Sequence, residues 1–477
     1  MTPVEWTLLI LTLVFGFYMA WNIGANDVAN AMGTSVGSGA LTLKRAVILA
    51  AVLEFAGAFL VGQHVSDTVR KGIINPEVFA DEPMVLAYGM IASLLAAGIW
   101  LQIASYFGWP VSTTHSIVGA IVGFAAVFGG VTNVDWSAVG TIVASWVISP
   151  AISGFLAFIF FRIVLHTILF KPDPTSAAKK ATPVWVFLVL TVLSLVLMIK
   201  GMKHYFKAAE IDLPLGTKIA ISLLVGLVAA GVGAILVWRM KIKSNPMPET
   251  YDLYVARSLE KVQKQLRRIR NATTEDTREV AQRMLDDSRS LYETVKQRVE
   301  LQPRESQFRE VERIFVYLQI LSACFVAFAH GSNDVANAIG PLSAAVDIIR
   351  SGTVAASTTV PTWALALGGV GIVIGLATWG WRVIETVGRR ITELTPTRGF
   401  CAEFAAATTI VVASVCGLPI STTHTLVGAV LGVGLARGIA ALNLNVVRDV
   451  VVSWIVTIPA GAGMSIVFFL VLRAVFG

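Results

Sequence analysis

The sequence predicts an all-α integral membrane protein of about twelve transmembrane stretches in two inverted repeats, with broken helices or re-entrant hairpins among them. Three observations predict it. First, of 477 residues 55% are hydrophobic and only 14% charged, against about 25% charged in a typical soluble domain; the mean hydropathy is +0.73. Second, apolar stretches approaching the roughly 20 residues a spanning helix needs recur along the chain. Third, one pair of polar motifs occurs twice.

The apolar stretches lie at about 6–32, 46–63, 84–107, 113–130, 138–169, 183–200, 218–240, 314–340, 363–384, 401–417, 423–441 and 450–476. They divide the chain into a first membrane repeat (1–165), connecting transmembrane helices (166–240), a charged segment (241–313) and a second membrane repeat (314–477). The charged segment carries Leu253, Ala256, Leu259, Val262, Leu266 and Ile269 at helical spacing. It reads as a cytoplasmic amphipathic helical loop. The net charge of +7 fits juxtamembrane Lys and Arg obeying the positive-inside rule, and no nucleic-acid partner is expected. With the charged segment inside, Lys44-Arg45, Lys171, Lys179, Lys180 and Arg389-Arg390 also fall inside and both termini outside; Lys200, Lys203 and Lys207 fall outside, against the rule. Cys324, Cys401 and Cys416 sit in apolar stretches without metal-type spacing and read as small core hydrophobes. Met1-Thr2-Pro3-Val4-Glu5 lacks the basic region of a cleavable signal, so the first stretch is expected to remain a span.

The duplication is explicit. Gly24-Ala25-Asn26-Asp27-Val28-Ala29-Asn30-Ala31 returns as Gly331-Ser332-Asn333-Asp334-Val335-Ala336-Asn337-Ala338. Pro110-Val111-Ser112-Thr113-Thr114-His115 returns as Pro419-Ile420-Ser421-Thr422-Thr423-His424. The paired motifs keep nearly the same separation in both halves, which marks a gene-level repeat. The copies lie in the first and eighth stretches, seven crossings apart, an odd number, so they are expected to enter the membrane from opposite sides. That arrangement is usual in secondary transporters, with the substrate near the midplane.

On a helix Asn26 and Asn30 are i,i+4 and Asp27 and Asn30 are i,i+3, so the three polar groups share a face. An ionised Asp in a bilayer is costly and must face a cavity and a partner. Gly24 would permit a helix break that bares carbonyls. Carboxylate, amide and carbonyl oxygens are hard ligands for a hard cation, which makes Asn26, Asp27, Asn30, Asn333, Asp334 and Asn337 candidate cation ligands. The Pro-x-Ser-Thr-Thr-His motif reads as a helix start with Ser112 or Ser421 as N-cap. Free N–H groups and hydroxyls gathered there form an anion site, so Ser112, Thr113, Thr114, Ser421, Thr422 and Thr423 are candidate anion ligands. No Lys or Arg occurs in 84–133, 314–349 or 399–436. An anion there needs a mobile cation beside it, which is a physical basis for symport. Glu54 and Glu403 are further intramembrane acids at non-equivalent repeat positions, candidates for coupling or gating. His115 and His424 read as supporting groups. A hydrolase built on Ser112 and His115 would lack an orienting acid in nearby sequence.

These motifs resemble the inorganic phosphate transporter family, and the similarity continues through Gly33-Thr34-Ser35-Val36-Gly37 and Val69-Arg70-Lys71-Gly72-Ile73-Ile74. The resemblance implies uptake of inorganic phosphate by a sodium- or proton-driven symporter of the inverted-repeat fold. It implies no enzyme activity and no cofactor other than the co-transported sodium. Glu54 and Glu403 match acidic positions of the family's sodium-coupled members, which favours sodium. Proton-coupled uptake of phosphate or a metal phosphate, and sulfate transport, are the alternatives. A multi-pass protein of the cell membrane is expected, with phosphate, sodium or protons and the lipid bilayer as partners; a homo-oligomer is compatible with the sequence.

Overall fold

The structure is a computed structural model that describes residues 1–71, 73–74, 76–201, 213–240, 250–272, 275–301, 304–354, 360–381, 383–384, 394–438 and 444–477. Lys203, Lys207, Arg389, Arg390 and Gly72 lie outside these. Each of the twelve apolar stretches falls largely on a helix in its described residues. Helix α1 (Pro3–Gly37) opens on a capping box: the Thr2 hydroxyl accepts the Glu5 N–H at 3.2 Å, the Glu5 carboxylate accepts the Thr2 N–H at 2.7 Å, and Pro3 fills the first position. There follow α2 (Leu43–Val61), α3 (Gln63–Lys71), α4 (Pro83–Tyr106), α5 (Thr113–Phe124), α6 (Trp136–Val164), α7 (Pro174–Val196) and α8 (Leu215–Arg239). The charged segment forms α9 (Thr250–Ala272) and α10 (Glu275–Leu301). The second half supplies α11 (Arg304–Ser351), α12 (Thr362–Thr378), α13 (Pro396–Val415), α14 (Thr422–Arg437) and α15 (Leu444–Phe476).

Among the described residues eight helices are long and apolar enough to cross a bilayer: α1, α4, α6, α7, α8, α11, α13 and α15. The apolar helices α12 and α14 have 17 and 16 residues. Sixteen residues rise about 24 Å, short of a hydrocarbon core of about 30 Å. Helices α5 and α14 therefore begin within the protein, as the second arms of the hairpins α4–α5 and α13–α14.

The chain forms two compact units, one of Met1–Arg162, Val184–Val232 and Phe315–Gly477, the other of Ile163–Pro183 and Gly233–Ile314. In the first unit glycines let helices of the two repeats meet backbone to backbone. A methyl group on Gly24 of α1 would strike the Ile372 carbonyl of α12, and one on Gly331 of α11 would strike the Glu54 carbonyl of α2. Gly24 thus serves close approach, and α1 runs unbroken through it. The expected helix break is corrected, because the packed α12 backbone leaves no room for one. The same exchange recurs further along. Gly119 and Gly123 of α5 meet Ile458 and Ala462 of α15, while Gly428 and Gly432 of α14 meet Pro150 and Gly154 of α6. Small-xxx-small pairs permit this approach. Residues 22–35 of α1 and 325–342 of α11 are buried on every side.

In the second unit α9 and α10 form an antiparallel hairpin. Gln263 donates to the Ser288 carbonyl at 3.2 Å, the Tyr292 hydroxyl to Glu260 at 3.0 Å and Arg270 to Gln282 at 3.0 Å. Ala281, Leu285, Ser288 and Val295 are buried along the seam, whereas Val262 and Ile269 are exposed. The register turns the stripe from the spacing first read, so these two residues lie on a flank. Cys401 is buried as expected, but Cys416 is exposed, because it sits in the turn that ends α13.

Candidate functional site

Two hairpin tips build the site. Each first arm ends in a left-handed glycine, Gly108 at φ 68° and Gly417 at φ 72°. Gly108 N–H bonds the Ser105 carbonyl at 3.1 Å and Trp109 N–H the Ala104 carbonyl at 2.9 Å; Gly417 and Leu418 repeat this to Ser414 at 3.1 Å and Ala413 at 3.0 Å. Both are Schellman ends, which need φ > 0 and so favour glycine. The proline that follows prevents the helix from resuming, and it centres a three-residue turn in which Val111 N–H bonds the Trp109 carbonyl at 3.1 Å and Ile420 N–H the Leu418 carbonyl at 3.0 Å, just before the next N-cap. Ser112 accepts the His115 N–H at 3.2 Å, and Ser421 the His424 N–H at 3.2 Å. Both expected caps are present.

The Asn-Asp motifs reach these tips in two ways. The first Asn ties its helix to the hairpin of its own repeat. Asn26 donates to Ser105 Oγ at 3.0 Å and the Trp109 carbonyl at 3.1 Å; Asn333 donates to Ser414 Oγ at 3.0 Å and the Leu418 carbonyl at 3.1 Å. The second Asn crosses to the other repeat. Asn30 donates to Thr423 Oγ1 at 2.7 Å and to Asp27 Oδ1 at 3.0 Å. Asn337 donates to Thr114 Oγ1 at 3.1 Å and Thr113 Oγ1 at 3.3 Å. The hydroxyls of Thr422 and Thr423 donate to Asp334 Oδ2 at 2.6 Å and Asp27 Oδ1 at 3.3 Å. Thr114 donates across to the Ile420 carbonyl at 2.9 Å. All twelve residues of the two motif pairs predicted as ligands are buried and lie in one region.

His330 joins them. Its Nε2 lies 2.9 Å from Asp334 Oδ2 and 3.8 Å from Asp27 Oδ2, and its Nδ1 lies 3.4 Å from Glu54 Oε1. One ligand atom each of Asp27, His330 and Asp334 fall within 4.8 Å of one another. Motif reasoning missed His330, because the first copy has Ile23 at that position. Its signal was a lone titratable side chain one turn before Asp334 in an apolar run. Glu54 has an equally apolar counterpart: Gly331 meets Glu54 as Gly24 meets Ile372. The His330–Glu54 contact therefore has the aliphatic Ile23 and Ile372 as its equivalents in the other half.

Buried acceptor oxygens without a hydrogen-bond donor cluster on these motifs. They are Oδ1 of Asn26, Asn333, Asp334 and Asn337, Oδ2 of Asp27, and both carboxylate oxygens of Glu54. Buried polar atoms normally find partners. Oxygens of this kind, from carboxylates and amides whose nitrogens are already spent, match the donor chemistry of a hard cation.

Glu403 lies elsewhere. Its carboxylate accepts from Thr34, from Ser35 at 2.7 Å, from Gln319 at 3.1 Å and from Ser322. Thr34 is seven residues past Asp27 on α1, about 10 Å along the axis. Glu403 is thus a separate, donor-satisfied acid that joins α1, α11 and α13.

His115 and His424 meet edge to face behind the hairpin tips, with ring centroids 4.3 Å apart. His115 lies 3.8 Å from the Trp146 ring and points Nδ1 at the Trp454 carbonyl at 3.5 Å. His424 lies 3.4 Å from the Trp454 ring and points Nδ1 at the Trp146 carbonyl at 3.4 Å. Both rings pack against a Trp from a neighbouring helix, and these Trp partners were missed. Ser145-Trp146 preceding Pro150, and Ser453-Trp454 preceding Pro459, was the available signal.

Comparison with known proteins places this geometry among relatives. Residues 23–465 match the family described as the phosphate transporter family. The chain is 47% identical over 459 residues to the chloroplastic inorganic phosphate transporter 2-1 of Arabidopsis thaliana, covering 96% of this chain and 71% of that one. A solved structure described as the sodium-dependent phosphate transporter superposes with a TM-score of 0.78 at 36% identity, covering 98% of this chain and 100% of that one.

Proposed function

From the premise that this chain belongs to the phosphate transporter family, we propose that it imports inorganic phosphate across the cell membrane by symport with sodium. Phosphate sits between Ser112-Thr113-Thr114 and Ser421-Thr422-Thr423, held by hydroxyls and by the N-termini of α5 and α14. Sodium ions bridge it to Asn26, Asp27, Asn30, Asn333, Asp334 and Asn337.

The observation that carries the reading is the cluster of buried, donor-free oxygens beside two capped helix N-termini. The anion and the carboxylates repel at low effective dielectric, and helix dipoles offer at most about half a charge each. Cations taken up with phosphate offset that repulsion and fill the orphaned oxygens. His330 and Glu54 border the cation site and tune its charge. The sodium-dependent character of the similar solved transporter supports this ion. Alternating access within the inverted-repeat fold provides release. Because α1 packs on α12 and α2 on α11, the moving bodies are helix sets drawn from both repeats.

Radiolabelled phosphate uptake into proteoliposomes, with and without an inward sodium gradient, tests the reading. The expected result is sodium-driven uptake that excess sulfate does not inhibit. Uptake indifferent to sodium but driven by a pH gradient would replace sodium with protons, and full competition by sulfate would replace the substrate.

A further inference from the structure

A groove of about 400 Å³ opens along the seam of α6 and α14. Pro150, Ala151 and Gly154 on one side and Gly428 and Gly432 on the other make it deep, because they add little side-chain bulk. Phe155, Phe158, Leu435 and Val451 form its rims, and all four are exposed. Trp454 lines one end. The lining is almost wholly carbon. A water placed there would lack the two to four polar partners that a held water requires. The groove is continuous with an outward apolar face on α6, where Val147, Ile148, Ile152 and Phe155 are exposed. A bilayer-spanning helix presents such a face to lipid tails. Hydrocarbon is the occupant that this surface meets in a bilayer, and its chemistry suits the lining.

We propose that the groove seats one acyl chain of a bilayer phospholipid and that the chain bears on the phosphate-site helix through Trp454. The route is short. Trp454 lines the groove and stacks on His424 at 3.4 Å. His424 stands in the first turn of α14, beside Thr422 and Thr423, and its N–H is held by the Ser421 cap. An acyl chain against Trp454 fixes the ring that supports His424, and so fixes where the α14 N-terminus points. The second half of this inference rests on the phosphate reading; seating of the tail does not.

The test uses the full chain in proteoliposomes of phosphatidylethanolamine and phosphatidylglycerol doped with a phosphatidylcholine that carries a diazirine at mid-tail. After irradiation, mass spectrometry maps the adducts. The expected result is labelling of 150–158 and 427–435 at least fivefold above that of the lipid-facing helix α8. Ala151→Phe, which fills the groove from an exposed position, is expected to remove that excess and to shift the half-saturating phosphate concentration at least threefold. Phe155→Ala, which opens the rim, controls for misfolding and is expected to keep the excess. Even labelling of all lipid-facing helices overturns the site, as does protection of these segments below the level of α8, which would make the groove an interface between copies. Labelling confined to the groove with an unchanged phosphate dependence in Ala151→Phe overturns the link to Trp454. Labelling is read without transport, so it stands or falls independently of the transported substrate.

Discussion

Replacing Asp334 by Asn removes one charge from the centre of the site while keeping its shape. Asp334 Oδ2 accepts from Thr422 at 2.6 Å and lies 2.9 Å from His330 Nε2, and Oδ1 has no donor. A cation about 2.4 Å from that oxygen gains roughly 7 kcal/mol of gross attraction at an effective dielectric of about 20. The amide oxygen that replaces the carboxylate is still a cation ligand and keeps part of that attraction through its dipole. The net loss in cation binding is then on the order of 2–3 kcal/mol, about 30- to 150-fold in affinity. The Thr422 hydroxyl keeps an amide oxygen to donate to, so the local fold is expected to persist. The assay is the sodium dependence of phosphate uptake in proteoliposomes, with thermal unfolding in detergent as the control. A half-saturating sodium concentration within threefold of the parent, with full uptake, refutes Asp334 as a cation ligand.

Three further outcomes follow from the same contacts. Asn333→Ala removes one donor each from the Leu418 carbonyl and the Ser414 hydroxyl, which keep the Ile420 N–H at 3.0 Å and the Ser332 hydroxyl at 3.4 Å, at about 0.5–1.5 kcal/mol per lost bond. It is expected to lower the unfolding temperature and weaken phosphate uptake, because the α13–α14 tip loses its tie to α11; an unchanged phosphate dependence would count against the tie. Glu403→Gln cannot accept from all four donors, and charge-assisted bonds are worth about 1.5–3 kcal/mol each. Thermal unfolding should show the loss, while phosphate half-saturation at saturating sodium should move less than threefold; a large shift there would place Glu403 in the phosphate site. Gly432→Leu drives a side chain into the Gly154 backbone and is expected to abolish the folded protein in a detergent size-exclusion assay, since neither helix can yield; normal elution would contradict the close packing of α6 and α14.

Much of the site was legible in the sequence because the duplication wrote it twice. The caps at Ser112 and Ser421, the shared face of Asn26, Asp27 and Asn30, and the tight glycine pairs all stand where local spacing put them. Local spacing could not reveal crossing. Asn30 reaching Thr423 and Asn337 reaching Thr114 depend on how the repeats interlock, which is tertiary. Symmetry also misled. It drew attention away from His330, whose counterpart is Ile23, and left Glu54 grouped with Glu403 although the two sit in different surroundings. Gly24 was assigned flexibility by residue type, but its neighbour is the α12 backbone, so its small size is what matters. The charged segment gave its helices correctly and its buried stripe only in part, because the α9–α10 pairing decides which face is covered.

The central claim is that sodium neutralises phosphate against Asp27 and Asp334 and bridges the two. Equilibrium binding of phosphate to the purified protein, measured across a sodium series at constant ionic strength with choline, tests it without any transport step. Linkage requires that each ligand tighten the other by the same factor. The account predicts that phosphate affinity rises with sodium, that saturating phosphate tightens sodium equally, and that Asp27→Asn with Asp334→Asn abolishes the coupling. Phosphate binding that is equal in choline and in sodium would contradict it.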